Sequence, residues 1–379
     1  MKTARAKPQK KRGERGARLD IRDVARHANV SIATVSRTIN GVPTVNAALT
    51  QRVWKAVREL NYYPNTQARA LVSGRSKLFG LIISEITNPF FPELIHGFED
   101  IAVQNGYEIL LGSTSHDPAR MEQCIRRMLE RDVDGVAVMT FGIEEPFLQE
   151  LAARNIPLVL VDTPSVSPLI KTLHVDYKQG IRQGVQHLAV LGHQRIAFIT
   201  GPLNLRSAQL RKAAFVSSME EIGLEPAAAT LMEGDHTLEG GVRAAQALLQ
   251  LPQQPTAVMC SNDMTAIGVL KQVHRAGLSV PADLSVIGFD DIHMTEFVYP
   301  PLTTVQMSRT DLARAAFDLL RSSVEAAKDA KQHESRKIPT TLTVRQSTGF
   351  PRGTKLPEKK NRGNGAKRSS AKSPSAKPQ

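Results

Sequence analysis

Cysteines and long apolar runs are both scarce in this sequence of 379 residues. The only two cysteines, Cys124 and Cys260, lie far apart in apolar segments, so we expect neither a structural disulfide nor a cysteine metal site. No stretch approaches about 18 consecutive apolar residues, which excludes a membrane-spanning helix. The basic N-terminus is not followed by an apolar run, so we predict no export signal. Together these absences favour a cytoplasmic protein.

Sequence motifs of catalysis are also missing. The chain contains no G-x-S-x-G, H-E-x-x-H, P-loop or G-x-G-x-x-G pattern. Its ten histidines are scattered, and we interpret His193, in the segment LGHQRI, as a structural residue. We therefore expect no enzyme, no metal and no cofactor.

Positive charge is abundant but unevenly distributed along the chain. The net charge of +13 divides into +7 for residues 1–18, +5 for 19–75, −7 for 76–350 and +8 for 351–379. A basic N-terminal region joined to an acidic body indicates a polyanionic partner for that region. Both ends lack apolar periodicity and are predicted to be disordered basic tails, which either bind the same polyanion or only keep the chain soluble.

Residues 19–64 predict three short helices. Asp20 can cap the first helix, and Asn29 lies at a sharp turn, where asparagine tolerates positive φ better than most residues. Ser31 can cap the second helix, and Asn46 begins the third. Two short helices joined by a tight turn and braced by a third are typical of a helix-turn-helix.

From residue 78 onwards the pattern changes to alternating strands and helices. This alternation predicts parallel sheets covered by helices, and about 270 residues of it exceed one comfortable core, so we expect two lobes. The predicted strands are Leu78–Ser84, Tyr107–Gly112, Val136–Met139, Leu158–Val161, Ile196–Thr200, Ala257–Ser261 and Ser285–Phe289.

Polar side chains follow several of these strands, where ligands of open parallel sheets bind. They are Ser84, Asp162, Asn262, Asp263, Asp290 and Asp291. Asp263 is open to a second interpretation as a helix N-cap, whereas no helix directly follows Asp162 or Asp290. Arg211, in a predicted helix, either points back into a cleft or is an ordinary solvated arginine. Carboxylates, an amide, an arginine and aromatic rings suit a hydroxyl-rich ligand such as a sugar or nucleoside.

Several segments, in order, resemble the lactose-repressor and galactose-repressor family. They are IRDVARHANVSIATVSRTINGVPTV, VRELNYYPNTQARAL, GLIISEITNPFFPELIHGFED, VDGVAVM, LGHQRIAFITGP, SNDMTAIGVL, VIGFDD and PPLTTV. The resemblance covers about residues 19–350. It implies a homodimer or tetramer that binds a palindromic operator, and a sensor, similar to periplasmic sugar-binding proteins, that holds its effector between two lobes. The basic C-terminus shows no leucine-heptad helix, which favours the dimer.

The resemblance also assigns site residues by position. Ile32, Ala33 and Arg37 would face the DNA bases, and Ser31, Thr34 and Ser36 would contact phosphates. Leu71, in a hinge helix after Pro64, matches the family's minor-groove wedge. Effector-contacting positions are matched by Phe90, Phe91, Asp162, Ser207, Arg211, His236, Asn262 and Asp290.

Three positions depart from familiar members of that family. His236 stands where several members have an aromatic stacking residue, and Leu205 stands where the purine repressor has a polar contact. Both differences argue against a purine effector. Asn29, which replaces a common turn glycine, can serve the same turn.

The sequence thus predicts a small all-α helix-turn-helix head and an α/β two-lobed sensor resembling periplasmic binding proteins. We expect a disordered tail at 1–18, the head at 19–64, a hinge and linker at 65–77, the sensor and dimerisation domain at 78–350 and a second tail at 351–379. The predicted function is a transcriptional repressor, cytoplasmic and nucleoid-associated, controlled by a sugar or sugar derivative. A transport receptor, an enzyme of sugars or nucleosides, and a nucleoid protein dominated by its tails are the alternatives.

Overall fold

The structure is a computed structural model that describes residues 19–63, 74–140, 149–151, 153–163, 169–225, 230–325 and 335–353. Leu71, most of the predicted hinge and the greater part of both predicted tails lie outside the described residues. The chain divides into two compact units, residues 1–174 with 309–337, and residues 175–308 with 338–379. Each unit is built around one parallel-dominated sheet, as predicted for two lobes.

Three helices form the N-terminal head: α1 (Ile21–Ala28), α2 (Ile32–Ile39) and α3 (Ala47–Glu59). They surround a small core of aliphatic side chains that fall at helical spacing. The buried members are Val24, Ala25, Ala28, Val35, Val53, Ala56 and Val57. Because the apolar residues share one face of each helix, the opposite face of α2 remains exposed.

The helix boundaries of the head are set by the predicted side chains. The Asp20 carboxylate accepts hydrogen bonds from the backbone N–H groups of Arg22 and Asp23 at the start of α1. Asn29 ends α1 with φ of +52°, the left-handed conformation expected for this turn. The side chains of Ser31 and Asn46 cap α2 and α3. These local predictions are confirmed.

The first unit contains a six-stranded sheet in the order β11-β5-β4-β3-β1-β2. Its strands are β1 (Leu78–Ile83), β2 (Glu108–Ser113), β3 (Gly135–Met139), β4 (Leu158–Val161), β5 (Ile170–Val175) and β11 (Ser335–Ile338). Strand β1 pairs in parallel with β2 and β3, and β4 pairs in parallel with β3 and β5. The helices of this unit are α4 (Phe90–Gln104), α5 (Pro118–Glu130) and α10 (Arg309–Glu325).

The second unit contains a six-stranded sheet in the order β12-β10-β9-β8-β6-β7. Its strands are β6 (Ile196–Ile199), β7 (Leu231–Met232), β8 (Ala257–Cys260), β9 (Ser285–Asp290), β10 (Thr303–Met307) and β12 (Thr340–Thr343). Neighbouring strands of this sheet pair in parallel, except that β12 runs antiparallel to β10. The helices are α6 (Tyr177–Val190), α7 (Arg206–Glu221), α8 (Leu238–Leu249) and α9 (Asp263–Arg275), and a 3-10 turn spans His293–Glu296.

All seven predicted strands are present, with ends within one residue of the prediction. The sequence pattern missed β5, β7, β10, β11 and β12. Threonine explains part of this failure, since Thr303, Thr304 and Thr340 are fully buried yet look polar in the sequence. Within the described ranges, no helix combines the length and apolar character needed to cross a membrane.

Candidate functional sites

The exposed face of α2 carries the side chains predicted to read DNA. Ile32 is 47% exposed, and Ala33 and Arg37 are also exposed. Arg37 has no hydrogen bond or ion pair with any residue that the structure describes, so its guanidinium is available to a partner. Aliphatic side chains next to a free arginine suit base edges that present a thymine methyl and a guanine.

The predicted phosphate contacts lie at the N-terminal end of α2. The Ser31 hydroxyl caps the helix through the Thr34 backbone N–H and lies 2.9 Å from the Thr34 hydroxyl. Ser36, half-buried one turn later, accepts a hydrogen bond from the Asn40 side chain. Hydroxyls at a helix N-terminus, where backbone N–H groups point outwards, suit phosphate oxygens.

An arginine that sequence reasoning missed holds the turn between α1 and α2. The Arg52 guanidinium, from α3, donates to the carbonyl oxygens of Ala28 at 2.7 Å and Asn29 at 3.1 Å. A cation at the C-terminal end of α1 also complements the helix dipole. Arg52 therefore fixes the angle at which α2 leaves α1, and its position on a mostly exposed helix face gave no signal of this role.

A buried ion pair lies at the carboxyl end of β9 in the second unit. Arg211 is only 3% exposed, and its guanidinium lies 3.5 Å from the Asp290 carboxylate. The same guanidinium lies over the ring of Phe289, 4.2 Å from its centroid, and 5.1 Å from that of Tyr177. Burial decides between the two interpretations of Arg211: it is not a solvated helix arginine.

Ser261 connects this ion pair to His236. The Ser261 carbonyl accepts a hydrogen bond from Arg211, and its hydroxyl lies 3.0 Å from His236 Nε2. His236 has φ of +63°, and Gly201 leaves the space for its ring, which a Cβ at that position would overlap. The ring of His236 is thus held by its neighbours in a set orientation.

Asn262 joins the same group of side chains. Its amide nitrogen donates to the His236 carbonyl at 2.9 Å, and its amide oxygen caps α9 through the Thr265 N–H at 2.9 Å. The alternative interpretation of Asp263 as the N-cap is therefore wrong, because Asn262 performs that role. The structure brings Arg211, His236 and Asn262 into one hydrogen-bonded chain with Asp290.

Ser207 lies one turn before Arg211 on α7 and is almost fully buried. Its hydroxyl has no hydrogen-bond partner among the described residues. A buried hydroxyl without a partner costs about 1–3 kcal/mol. A ligand that hydrogen-bonds to Ser207 would remove this cost.

The predicted site residues of the first unit are buried near the carboxyl ends of its strands. The rings of Phe90 and Phe91, at the start of α4, meet edge to face at 5.3 Å. Asp162 follows β4 with φ of +54°, and its backbone N–H donates to the Leu173 carbonyl. Asp162 therefore stands directly at a strand end, as the sequence predicted, whereas Phe90 and Phe91 begin the helix that follows β1.

His193 is a structural residue, as interpreted from the sequence. Its two ring nitrogens lie 2.9 Å from the Thr256 hydroxyl and 2.9 Å from the Gly349 carbonyl, in the core of the second unit. Burial lowers the pKa of His193 below its ordinary value, partly opposed by the hydrogen bond to Gly349. Among the described residues, no group of three or more His, Cys, Asp or Glu side chains could hold a metal.

Two known protein families match separate segments of the chain. A family described as bacterial regulatory proteins, lacI family, matches residues 20–65, and a periplasmic binding protein-like domain matches residues 185–348. The chain is 34% identical to catabolite control protein A of Priestia megaterium, over 86% of this chain and 98% of that protein. It is 35% identical to the HTH-type transcriptional repressor CytR of Escherichia coli strain K12, over 86% of this chain and 96% of that protein.

A solved structure agrees with these sequence relationships. The lac repressor dimer bound to operator and the anti-inducer ONPF is similar, with a TM-score of 0.78 and 28% identity. The match covers 87% of this chain and 99% of that chain, so it extends over head and sensor together.

Proposed function

The chain belongs to the lacI family of bacterial regulatory proteins and is a DNA-binding transcriptional repressor, and from this premise we propose that a small hydroxyl-rich effector controls its binding to a palindromic operator. The observation that carries the effector is the buried pair of Arg211 and Asp290 at the carboxyl end of β9. We also propose that the protein has no enzymatic activity and acts in the cytoplasm at the nucleoid.

The charge pattern of this group favours a neutral ligand with several hydroxyls, such as a sugar or sugar derivative. Asp290 and Arg211 compensate each other, so the pair offers one acceptor and one donor without net charge. The Ser207 hydroxyl and the His236 ring add further polar contacts, while Leu205 beside them is apolar. A sugar supplies hydrogen-bond donors and acceptors for these polar side chains, and it offers an apolar ring face to aromatic neighbours. Contacts from Phe90, Phe91 and Asp162 to the same ligand remain a prediction.

The experiment uses the full-length protein in two steps. An operator is first selected from random duplexes, and a panel of sugars, sugar phosphates and nucleosides is then tested for ligands that change operator affinity. Asp290→Asn should keep operator binding and lose the response, because the amide keeps the shape but not the charge opposite Arg211. The matched control is Glu239→Asn, an exposed acid on α8 of the same unit. An unchanged response in Asp290→Asn would remove the assigned effector site.

We further propose that two copies associate through an apolar surface formed by the 3-10 turn and the residues that follow it. Met294, Phe297 and Tyr299 are large and exposed, Phe297 by 73% and Tyr299 by 93%. Contiguous exposed apolar side chains mark interaction surfaces, and the similar lac repressor is a dimer. Tyr299→Glu should therefore give monomers in sedimentation velocity. Val190→Glu, at an isolated exposed valine in the same unit, is the control. Dimers that persist in Tyr299→Glu would place the interface elsewhere.

A further inference from the structure

Asp263 is a fully buried acid that the proposed function does not use. It is the first residue of α9, and its side chain is 0% exposed. One carboxyl oxygen lies 2.6 Å from the Thr304 hydroxyl, and the other accepts a hydrogen bond from the Ile292 backbone N–H at 2.9 Å. Gly288 leaves the room for this carboxyl group, since a Cβ there would overlap it. Asp263 thus joins α9, β10 and the segment after β9.

The charges around Asp263 are already matched without it. Asp290 pairs with Arg211, and Asp291 pairs with Arg345 at 2.8 Å. Asp291 also accepts a hydrogen bond from the Gln306 amide, so its carboxylate is fully engaged. In the described part of the chain, no lysine or arginine forms an ion pair with Asp263. Asp290 and Asp291 thus each face a guanidinium group, whereas Asp263 has no cation among the described residues.

An ionised Asp263 would be a buried anion without a cation, which is among the most costly arrangements in a protein. Burial raises the pKa of Asp263 well above its ordinary value and the nearby Asp290 carboxylate raises it further, while the hydrogen bonds from Thr304 and Ile292 oppose this shift only in part. The other ionisable groups around it are Asp291 and Arg345, beyond the end of β9, and the Cys260 thiol at the end of β8. In the structure the Thr304 hydroxyl and the Ile292 N–H each donate to one oxygen of Asp263. A protonated carboxyl keeps both contacts when its own O–H donates to the Thr304 oxygen instead and its other oxygen accepts from Ile292.

We propose that Asp263 is a neutral carboxylic acid at neutral pH and a positioning residue that holds the backbone following Asp290. The role in positioning rests on the proposed function, because it concerns the effector-contacting Asp290. Asp290 and Asp291 have φ of +111° and +59°, which are strained for residues other than glycine. The Ile292 N–H comes directly after this strained pair, so its bond to Asp263 helps to keep the two acids facing opposite arginines. Local unfolding that exposes Asp263 to water at neutral pH must then release its proton.

Cys260 offers a local probe for this proton, because it is buried three residues before Asp263. The second cysteine, Cys124, is removed by Cys124→Ser, and the rate at which a disulfide reagent labels Cys260 then reports opening. The measurement compares this full-length protein with the same protein carrying Asp263→Asn. Asparagine has the shape of the neutral acid, donates to Thr304 and accepts from Ile292. Rates are compared at each pH, so the ionisation of the thiol and of all other groups cancels.

The sign of the expected effect follows from linkage. A group whose pKa is raised in the folded state loses its stabilising contribution as the pH rises from its unfolded pKa, near 3.9, to its folded pKa. The labelling ratio of the Asp263 protein to Asp263→Asn should therefore rise with pH through neutrality, by up to about ten-fold for each pH unit. A ratio independent of pH would show that Asp263 is ionised and would overturn the proposal. Failure of Asp263→Asn to fold would also overturn it, because that variant reproduces both hydrogen bonds.

The positioning role is tested by hydrogen exchange at the Ile292 amide. Asp263→Asn should keep its protection, whereas Asp263→Leu, which is neutral but offers no acceptor, should lose at least ten-fold of it. Equal protection in both variants would show that Asp263 does not hold this backbone. Neither experiment needs DNA or effector, so a protein that bound no operator would leave these results standing.

Discussion

The two candidate sites of this chain use arginine in opposite ways. Arg37 on α2, where we propose that it reads bases, is exposed and has no partner in the described structure, whereas Arg211 in the second unit is buried against Asp290 and Phe289. DNA is a large partner that meets a surface, so a base-reading side chain must remain free until it arrives. A small effector must be enclosed, so the charged side chains that contact it have to be paired with each other when it is absent. A substitution at the buried site should therefore lower the unfolding free energy more than a substitution at the exposed site.

The largest expected effect comes from removing the buried arginine. Arg211→Met should cost about 3–5 kcal/mol of unfolding free energy, because it leaves Asp290 buried without its cation. The control is Arg243→Met, which breaks the exposed ion pair of Arg243 with Asp235 in the same unit. An exposed pair contributes at most about 1 kcal/mol. Denaturant unfolding measures both, and similar losses would contradict the distinction between the two arginines.

The second effect concerns recognition and not stability. Arg37→Ala should weaken operator binding by about 1–3 kcal/mol and leave random-DNA affinity and the unfolding free energy nearly unchanged. Arg58→Ala, an exposed arginine at the end of α3, serves as the control for loss of charge in the head. Fluorescence anisotropy with both DNAs measures the affinities. If Arg37→Ala lowered operator and random-DNA affinity equally, Arg37 would be a phosphate contact.

The sequence could predict the exposed site more completely than the buried one. Helix caps at Asp20 and Ser31 depend on nearest neighbours in the chain, so α2 and its outward residues follow from local pattern. The contacts of Arg211, Ser261 and His236 join residues far apart in the sequence. The family resemblance supplied Arg211 and His236 by position, but no local pattern identified Ser261.

The same limit explains the errors at Asp263 and the missing strands. Asn262 and Asp263 are both good helix caps, and only the burial of Asp263 beneath β10 assigns the cap to Asn262. Strand β10 was missed because its threonines are buried by contacts that the chain makes over long distances. Local pattern predicts elements, whereas the identity of each buried polar partner depends on tertiary packing.

A third, smaller effect is that acidification should lower the stability of the second unit more than that of the head. Burial lowers the pKa of His193 and of His187 in the second unit. A histidine with a depressed folded pKa stabilises the protein above its unfolded pKa, near 6.5, and this contribution is lost as the pH falls below that value. Each such proton changes stability by at most about 1.4 kcal/mol per pH unit.

Hydrogen exchange at pH 7 and pH 5.5 locates this loss. Amides of the second unit around His193 should exchange more readily at the lower pH, after correction for intrinsic rates. In the head, His27 is exposed and lies 2.8 Å from Glu59, so acidification should not destabilise it through a buried histidine. His193→Gln, which can keep hydrogen bonds but cannot titrate in this range, should reduce the pH effect. An equal effect in that variant would assign the pH dependence to other groups.

The smallest effect on discrimination is expected from the basic ends of the chain. Residues 1–18 carry a net charge of +7 and residues 351–379 carry +8, together more than the net charge of the whole protein. Their lysines and arginines have few apolar neighbours in sequence to pack against. Because the sequence predicts that these residues, unlike Arg37, are not held by a helix, we expect them to neutralise phosphates but not to read bases.

A truncated protein spanning residues 19–350 separates these contributions. We expect it to bind random DNA more weakly and with a shallower dependence on salt. The truncated protein neutralises fewer phosphates, so its binding releases fewer condensed counterions. Its operator-to-random affinity ratio should stay the same or improve, since the face of α2 that we propose to read bases remains. The control is full-length protein with the lysines and arginines of both ends replaced by glutamine. If the salt slope of this control matches that of the truncated protein, the charge of the ends is responsible for the difference. If all three proteins share one slope, the ends only keep the chain soluble, and α2 with its neighbours supplies all of the DNA affinity.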